Sequence, residues 1–252
     1  MILIAGPCVI EDIATLDNIA QKMCNVIEGR NIDFYFKASA IKDNRTKITN
    51  YSGVGMEQGI SMLIDIKKKY SIKITTDFHN EIDISRYGSF VDLIQIPAYL
   101  AQQTSILRAA SRMGKPIHIK KPQFLGPEES AQLVDKLYDL EFKERIFLTD
   151  RGTMFGYNQT MMDPRHIGIM MKKTAIPILV DVTHPNKNYP YDEYNSLVLA
   201  RSAIVSGASG IFLETHPNCD KALCDSKTMI PLKDIEDFID DVYSLYSYIN
   251  EE

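Results

Sequence analysis

Eight short apolar runs rich in β-branched residues recur along the chain, and each stops at a polar, reactive side chain. Residues 2–5 lead through Gly6-Pro7 to Cys8, and residues 34–36 lead to Lys37 and Ser39. Residues 72–75 end at Asp77 and His79, residues 93–94 at Gln95, and residues 117–119 at Lys120. Residues 146–148 end at Asp150-Arg151, residues 178–180 at Asp181 and His184, and residues 211–213 at Glu214. Runs this short, bounded by turn residues, predict strands buried on both faces. Each gap between them has room for one helix, and eight β-then-α units are what a closed barrel requires. The pattern predicts an α/β fold, a single (β/α)8 TIM barrel over residues 1–252. In that fold the C-terminal strand ends carry the chemistry, so the polar residues just named are expected to converge on one mouth.

The gaps carry helical signals. Pro127-Glu128-Glu129 puts a proline and acids in a first turn, and Leu133, Val134, Leu137 and Leu140 form the apolar stripe behind it. The last helix carries Ile235, Phe238, Ile239, Val242, Tyr246 and Ile249 at helical spacing, with Asp237, Asp240 and Asp241 on the wet side. Two loops are longer than packing needs: 40–55 after the second strand, and 185–194 after the seventh, which contains Tyr189-Pro190-Tyr191. Long loops on the functional face are candidates for closing over a substrate.

Composition narrows the function classes. The length of 252 residues suits one barrel and leaves no room for a second sizeable domain. A net charge of −5 with no basic stripe argues against nucleic acid as a partner. No run approaches the ~18 apolar residues of a membrane span, and residues 1–5 run into Glu11-Asp12 as a strand and not a signal peptide. The four cysteines, Cys8, Cys24, Cys219 and Cys224, form no Cys-x-x-Cys pair, so a reduced cytoplasmic setting is expected. Cys24 falls on the apolar side of the first helix and reads as a buried small hydrophobe.

Although the chain is acidic, its cations gather at strand ends. Lys37, Lys42 and Arg45 lie within nine residues, Lys120 ends the fifth strand and Arg151 follows the sixth. Lys47 and Lys121 read as solvated surface charges. Lys37 and Lys120 do not, because each terminates a strand that should be buried, and buried cations need anions. The sequence offers no obvious carboxylates for all of them, so a bound phosphate or carboxylate is the economical partner. Arginine adds two-point geometry suited to phosphate. Neither Gly-x-x-x-x-Gly-Lys nor Gly-x-Gly-x-x-Gly follows a strand, which leaves nucleotides without support. Cys8, His184, Glu214 and Asp225 follow the first, seventh and eighth strands, which are neighbours in a closed barrel. They suit a divalent transition metal (Zn, Fe, Mn or Co). Spacing alone leaves a second reading open: a buried thiol, a hydrogen-bonded histidine and two unrelated acids.

At these residues the chain resembles the 3-deoxy-D-manno-octulosonate 8-phosphate synthases, barrel enzymes that condense phosphoenolpyruvate with an aldose phosphate. The matching segments include Gly6-Pro7-Cys8, Phe36-Lys37-Ala38-Ser39, Lys42-x-Asn44-Arg45, Asp77-x-His79 and Gln95-Ile96-Pro97-Ala98. They continue through Lys120-Lys121-Pro122-Gln123-Phe124, Asp150-Arg151-Gly152-Thr153, Phe155-Gly156-Tyr157-Asn158, Asp181-x-Thr183-His184 and Glu214-Thr215-His216-Pro217 to Asp225. The resemblance implies that Lys37, Ser39, Lys42, Gln95, Lys120 and Arg151 hold phosphoenolpyruvate. It implies that Asn44, Arg45, Thr46 and Asp77 hold the aldose phosphate, with Lys37, Lys42, Asn44, Asp77 and His184 as the catalytic set. The family has a metal-requiring form with cysteine at the position of Cys8 and a metal-independent form with asparagine there. Cys8 therefore implies a metal bound with His184, Glu214 and Asp225. A homotetramer is also implied.

Three departures all touch the aldose side. Gln102 replaces an arginine that in the family reaches the aldose phosphate across a subunit interface. Asp43, Thr46 and Lys47 replace Ala, Ser and Ser in the segment that starts at Lys42, and the loop after the seventh strand lacks a Ser-Gly-Gly-x-Arg segment. The alternatives are a heptulosonate-phosphate synthase, an aldolase using Lys120 as a Schiff base, or a phosphosugar-binding pseudoenzyme.

Overall fold

A computed structural model describes residues 1–156, 160–186 and 193–250. Eight parallel strands follow one another in sequence order: β1 (Ile2–Gly6), β2 (Asp33–Lys37), β3 (Lys73–Asp77), β4 (Leu93–Ile96), β5 (Ile117–Lys120), β6 (Ile146–Asp150), β7 (Ile178–Asp181) and β8 (Gly210–His216). Pairing of β1 with β8, Ile2 opposite Gly210 through Gly6 opposite Glu214, closes the barrel. Eight helices cover the outside: α1 (Ile13–Ile27), α2 (Met56–Tyr70), α3 (Glu81–Tyr87), α4 (Thr104–Ser111), α5 (Pro127–Asp139), α6 (Arg165–Thr174), α7 (Glu193–Val205) and α8 (Ile235–Asn250). Asp12 caps α1, its carboxylate accepting from the Thr15 N–H at 2.7 Å, and Asn80 caps α3 in the same way. The (β/α)8 reading of the hydrophobic pattern stands. None of the described helices is long and apolar enough to cross a membrane.

Two strands differ from the pattern. β4 runs two residues past its predicted end, so Gln95 lies inside it. β8 runs through Glu214 to His216, because a two-residue strand, β9 (Ile230–Pro231), pairs with Thr215–His216 and holds it extended. The excursion between β8 and β9 carries Cys219, Cys224 and Asp225 back over the mouth.

Side chains alternate along a strand, so inward positions recur every second residue. Ile2, Ile4, Tyr35, Leu93, Phe147, Leu179 and Phe212 form an apolar cluster inside the barrel, separate from the larger core between strands and helices. One inward step further along, those strands present Gly6, Lys37, Gln95, Thr149, Asp181 and Glu214. The barrel is therefore plugged with hydrocarbon below and lined with reactive groups above. Gly6 has no alternative: a Cβ there would lie 2.0 Å from the Lys37 carbonyl oxygen.

The outward face explains one misreading. Lys121, expected to be a solvated charge, is fully buried. It points out of the barrel beneath the helices, donates to the carbonyls of Pro122, Leu125 and Gly152, and sits 3.4 Å from Asp150. Its position one residue after Lys120 puts it on the opposite face of the strand. Cys24 is half-buried, since Met23 and Val26 take the core side of α1. Lys47 is exposed as expected.

Candidate active site and metal centre

One open cavity of ≈ 1050 Å³ occupies the C-terminal mouth. That is at the top of the range of small-molecule sites, about 300–1,000 Å³, and suits two reactants at once. Of the predicted site residues, Lys37, Lys42, Asn44, Arg45, Thr46, Asp77, Gln95, Lys120, Arg151, His184, Glu214 and Asp225 line it. Ser39 and Cys8 are buried just behind its wall. Tyr157-Asn158 and Tyr189-Pro190-Tyr191, both singled out in the sequence, lie outside the described residues.

The buried lysines already face carboxylates, which corrects the expectation that the sequence offers no obvious partners for all of them. Lys37 donates to Glu214 Oε1 at 2.8 Å and to the Cys8 carbonyl at 2.9 Å. Lys120 is paired with Asp181, and its ammonium lies 3.3 Å from the Phe212 ring centre. Lys42 stands 4.0 Å from Asp77. These pairs were not legible because each joins different strands: β2 to β8, β5 to β7, and the loop after β2 to β3. Against Lys37, Lys42, Lys120, Arg45 and Arg151 stand Asp77, Asp181, Glu214 and Asp225, so the cations outnumber the carboxylates by one.

Burial and charge compete throughout. Burial pulls Lys120 down to about 8, against the pull of Asp181 and with help from Arg151. Lys42 goes the other way: burial lowers it, but Cys8, Asp77 and Glu214 together hold it well above the usual lysine range. Burial would raise Asp77, yet Lys42, His79 and Lys37 hold it well below the carboxylate range. Asp181 is likewise held far down, burial being outweighed by His184 and Lys120. His118, buried against Thr149 at 2.6 Å, is kept neutral by burial and by Lys120.

Asp181 is the residue that strand-end logic named but gave no role. One oxygen accepts the backbone N–H groups of Thr183 and His184, each at 2.9 Å; the other faces Lys120 and, at 2.7 Å, His184 Nδ1. It therefore fixes the imidazole so that Nε2 faces Glu214 and Asp225, at 4.0 and 3.9 Å. Arg45 is turned toward the β8–β9 excursion, donating to Cys224 Sγ at 2.7 Å and to the Leu223 carbonyl at 3.2 Å. Arg151 donates to Gln123 at 2.5 Å, and Gln123 donates to the Tyr99 hydroxyl at 2.7 Å, forming a polar rim.

The four predicted ligands meet in two overlapping groups that share Asp225. One contains Cys8, Cys224 and Asp225; the other contains His184, Glu214 and Asp225, with donor atoms within 4.8 Å of one another in each. Glu214 is fully buried, and its Oε2 has no hydrogen-bond partner. A buried, ionised oxygen left bare is costly unless a cation completes it. Thiolate, imidazole and carboxylate donors at these separations fit a transition ion with bonds of about 2.0–2.3 Å. Cys224, given no role from sequence, is the unexpected member; its adjacency to Asp225 was the available signal.

The profile of the DAHP synthetase I family matches residues 1–250. The chain belongs to that family. Among its relatives is a 2-dehydro-3-deoxyphosphooctonate aldolase of Desulfosudis oleivorans, 39% identical over 94% of this chain and 87% of the relative. Proteins of the same name from Aliivibrio fischeri and Coxiella burnetii are each 36% identical, over 96% and 97% of this chain and 88% and 89% of their own lengths.

Proposed function

We propose that the protein condenses phosphoenolpyruvate with an aldose phosphate and water to give a 3-deoxy-2-ulosonate phosphate and inorganic phosphate. The aldose we assign is D-arabinose 5-phosphate, the product being 3-deoxy-D-manno-octulosonate 8-phosphate. The carrying observation is one cavity with lysines and Arg151 on the β2, β5 and β6 ends facing the Asn44–Arg45–Thr46 loop. The names of relatives matched along nearly the whole chain support the same reading.

In this reading Lys37, Lys42, Lys120 and Arg151, with Ser39 and Gln95, neutralise the phosphate and carboxylate of phosphoenolpyruvate. They hold its C3 against the aldehyde. Carbon–carbon bond formation at C3 and addition of water at C2 precede loss of phosphate, and positioning with preorganised charge supplies the rate. Lys42, held as an ammonium, donates to the aldehyde oxygen as it gains charge. Ionised Asp77 accepts from the aldose hydroxyls, while Asn44, Arg45 and Thr46 take its phosphate end. His184 is fixed through Nδ1 by Asp181, which leaves Nε2 turned toward Glu214 and Asp225 at the edge of the reacting site. Cys8, His184, Glu214 and Asp225 would hold a divalent transition ion, which supplies Lewis acidity when bound.

A homotetramer fits the rim, where Tyr99, Phe124, Met154 and Phe155 are exposed apolar side chains. Gln102 is exposed and lies outside the cavity of its own subunit, which suits a residue whose family counterpart serves a neighbouring one. The test is phosphate release from phosphoenolpyruvate across a panel of aldoses, phosphorylated and not, with and without chelator. Release with arabinose 5-phosphate above all others is expected, with an aldose KM that Gln102→Arg lowers. Release only with an unphosphorylated sugar would overturn the aldose assignment, and none with any aldose would favour a binding protein.

A further inference from the structure

The excursion between β8 and β9 brings a second sulfur to the centre. Cys8 Sγ lies 2.9 Å from Cys224 Sγ and 3.3 Å from Asp225 Oδ2, and Cys224 Sγ lies 3.6 Å from that same oxygen. Cys224 and Asp225 are neighbours in sequence, and in extended chain their side chains would point apart. Here Asp225 adopts the left-handed backbone conformation, with φ of 46°, which aspartate and asparagine tolerate better than most residues other than glycine. With the backbone turned there, both donor groups reach one point.

We infer that Cys224 is a metal ligand alongside Cys8, making this a two-thiolate centre built for zinc. The inference rests on the metal-requiring reading proposed above and adds a donor to it. Three observations support it. Cys224 faces the cavity and shares Asp225 with the His184–Glu214 group. Glu214 Oε2, buried and without a hydrogen-bond partner, belongs to the group that shares Asp225, so the set offers an anionic oxygen that a cation would satisfy. The surplus negative charge of a two-thiolate, two-carboxylate set is also met: Arg45 donates to Cys224 Sγ, and Lys37 donates to Glu214. Thiolates are soft donors, so a second one favours zinc over manganese, which prefers oxygen. The ion would draw the two sulfurs apart and hold each as a thiolate.

X-ray absorption on the full-length protein, stripped by chelator and reloaded with one equivalent of zinc, counts the sulfurs directly. Two sulfur neighbours at about 2.3 Å, beside nitrogen and oxygen at about 2.0–2.2 Å, are expected. Cys224→Ser should show one sulfur and lose at least tenfold in zinc affinity relative to manganese. One sulfur in the unaltered protein, with zinc tightly bound, overturns the role of Cys224 and leaves the metal reading standing. No stoichiometric binding of any divalent transition ion overturns both. Two sulfurs persisting in Cys224→Ser would transfer the role to Cys219 and refute the assignment. Should Cys224→Ser fail to fold, the sulfur count of the unaltered protein decides alone.

Discussion

Replacing Lys120 with methionine removes the ammonium that lies over the Phe212 ring while keeping most of the side-chain length. Two consequences follow, and they separate. The first is stability: breaking a buried ion pair typically costs about 3–5 kcal/mol because the partner is left uncompensated. Asp181, however, keeps two backbone N–H donors and His184 Nδ1. We therefore expect a loss at or below the bottom of that range. The second is affinity for phosphoenolpyruvate. A hydrogen bond to a charged group is worth about 1.5–3 kcal/mol, which is roughly 10- to 150-fold in Kd. Calorimetry of the folded variant should show a loss in that window, with the aldose less affected.

The pH profile gives an independent check. Lys120 titrates at about 8 in the free protein, so its charge is present below that pH and lost above it. Binding a polyanion above pH 8 must first return the proton, and affinity should fall by up to about tenfold per pH unit there. Lys120→Met should lack this alkaline limb. Unchanged affinity in Lys120→Met, or the same alkaline limb in both proteins, would refute the placement of this lysine against phosphoenolpyruvate.

Chelation should abolish turnover and an added divalent transition ion should restore it, whereas Cys8→Asn should keep some chelator-resistant activity; a metal-free, fully active protein would count against the centre. In Asp181→Asn the charge that raises Lys120 is gone, so the alkaline limb of phosphoenolpyruvate binding should move below pH 8, as titrations across pH 6–9 would reveal. Lys121→Met leaves Asp150 buried with only the Gly152 N–H on one oxygen, and should cost about 3–5 kcal/mol. For a chain of this size that is roughly 6–20 °C in Tm, read by thermal unfolding, with phosphoenolpyruvate affinity near normal.

The strands were legible because burial on both faces forces continuous apolar runs, and the mouth was legible because each run ends where the hydrocarbon plug ends. What strand-end logic could not resolve was the face. Lys120 and Lys121 are adjacent lysines after the same run, yet one lines the cavity and the other is sealed beneath the helices with Asp150. A period of two decides this only once the inward register is known, and the runs of β-branched residues carry no alternation from which to set it. Cys224 was harder still, since it reaches the site on an excursion whose return, β9, is only two residues long.

The ion pairs change how the site must be understood. A cluster of buried lysines waiting for a polyanion would be unstable in its absence, because desolvated charge without a partner is costly. Pairing Lys37 with Glu214 and Lys120 with Asp181 offsets much of that cost, and those same carboxylates orient the groups on the other side of the cavity. Glu214 turns one oxygen to Lys37 and leaves the other bare beside His184; Asp181 splits between Lys120 and His184. The phosphoenolpyruvate side and the metal side are thus joined through two shared carboxylates. A change in one should register in the other: a metal held by Glu214 and His184 would weaken the hold of both acids on their lysines and free positive charge for the substrate. Phosphoenolpyruvate should therefore bind more tightly to the metal-loaded protein than to the stripped one, and, by reciprocity, the metal more tightly when phosphoenolpyruvate is present. Calorimetric titrations of each ligand with and without the other close that cycle. Equal affinities in both arms would mean that the two halves of the site act independently.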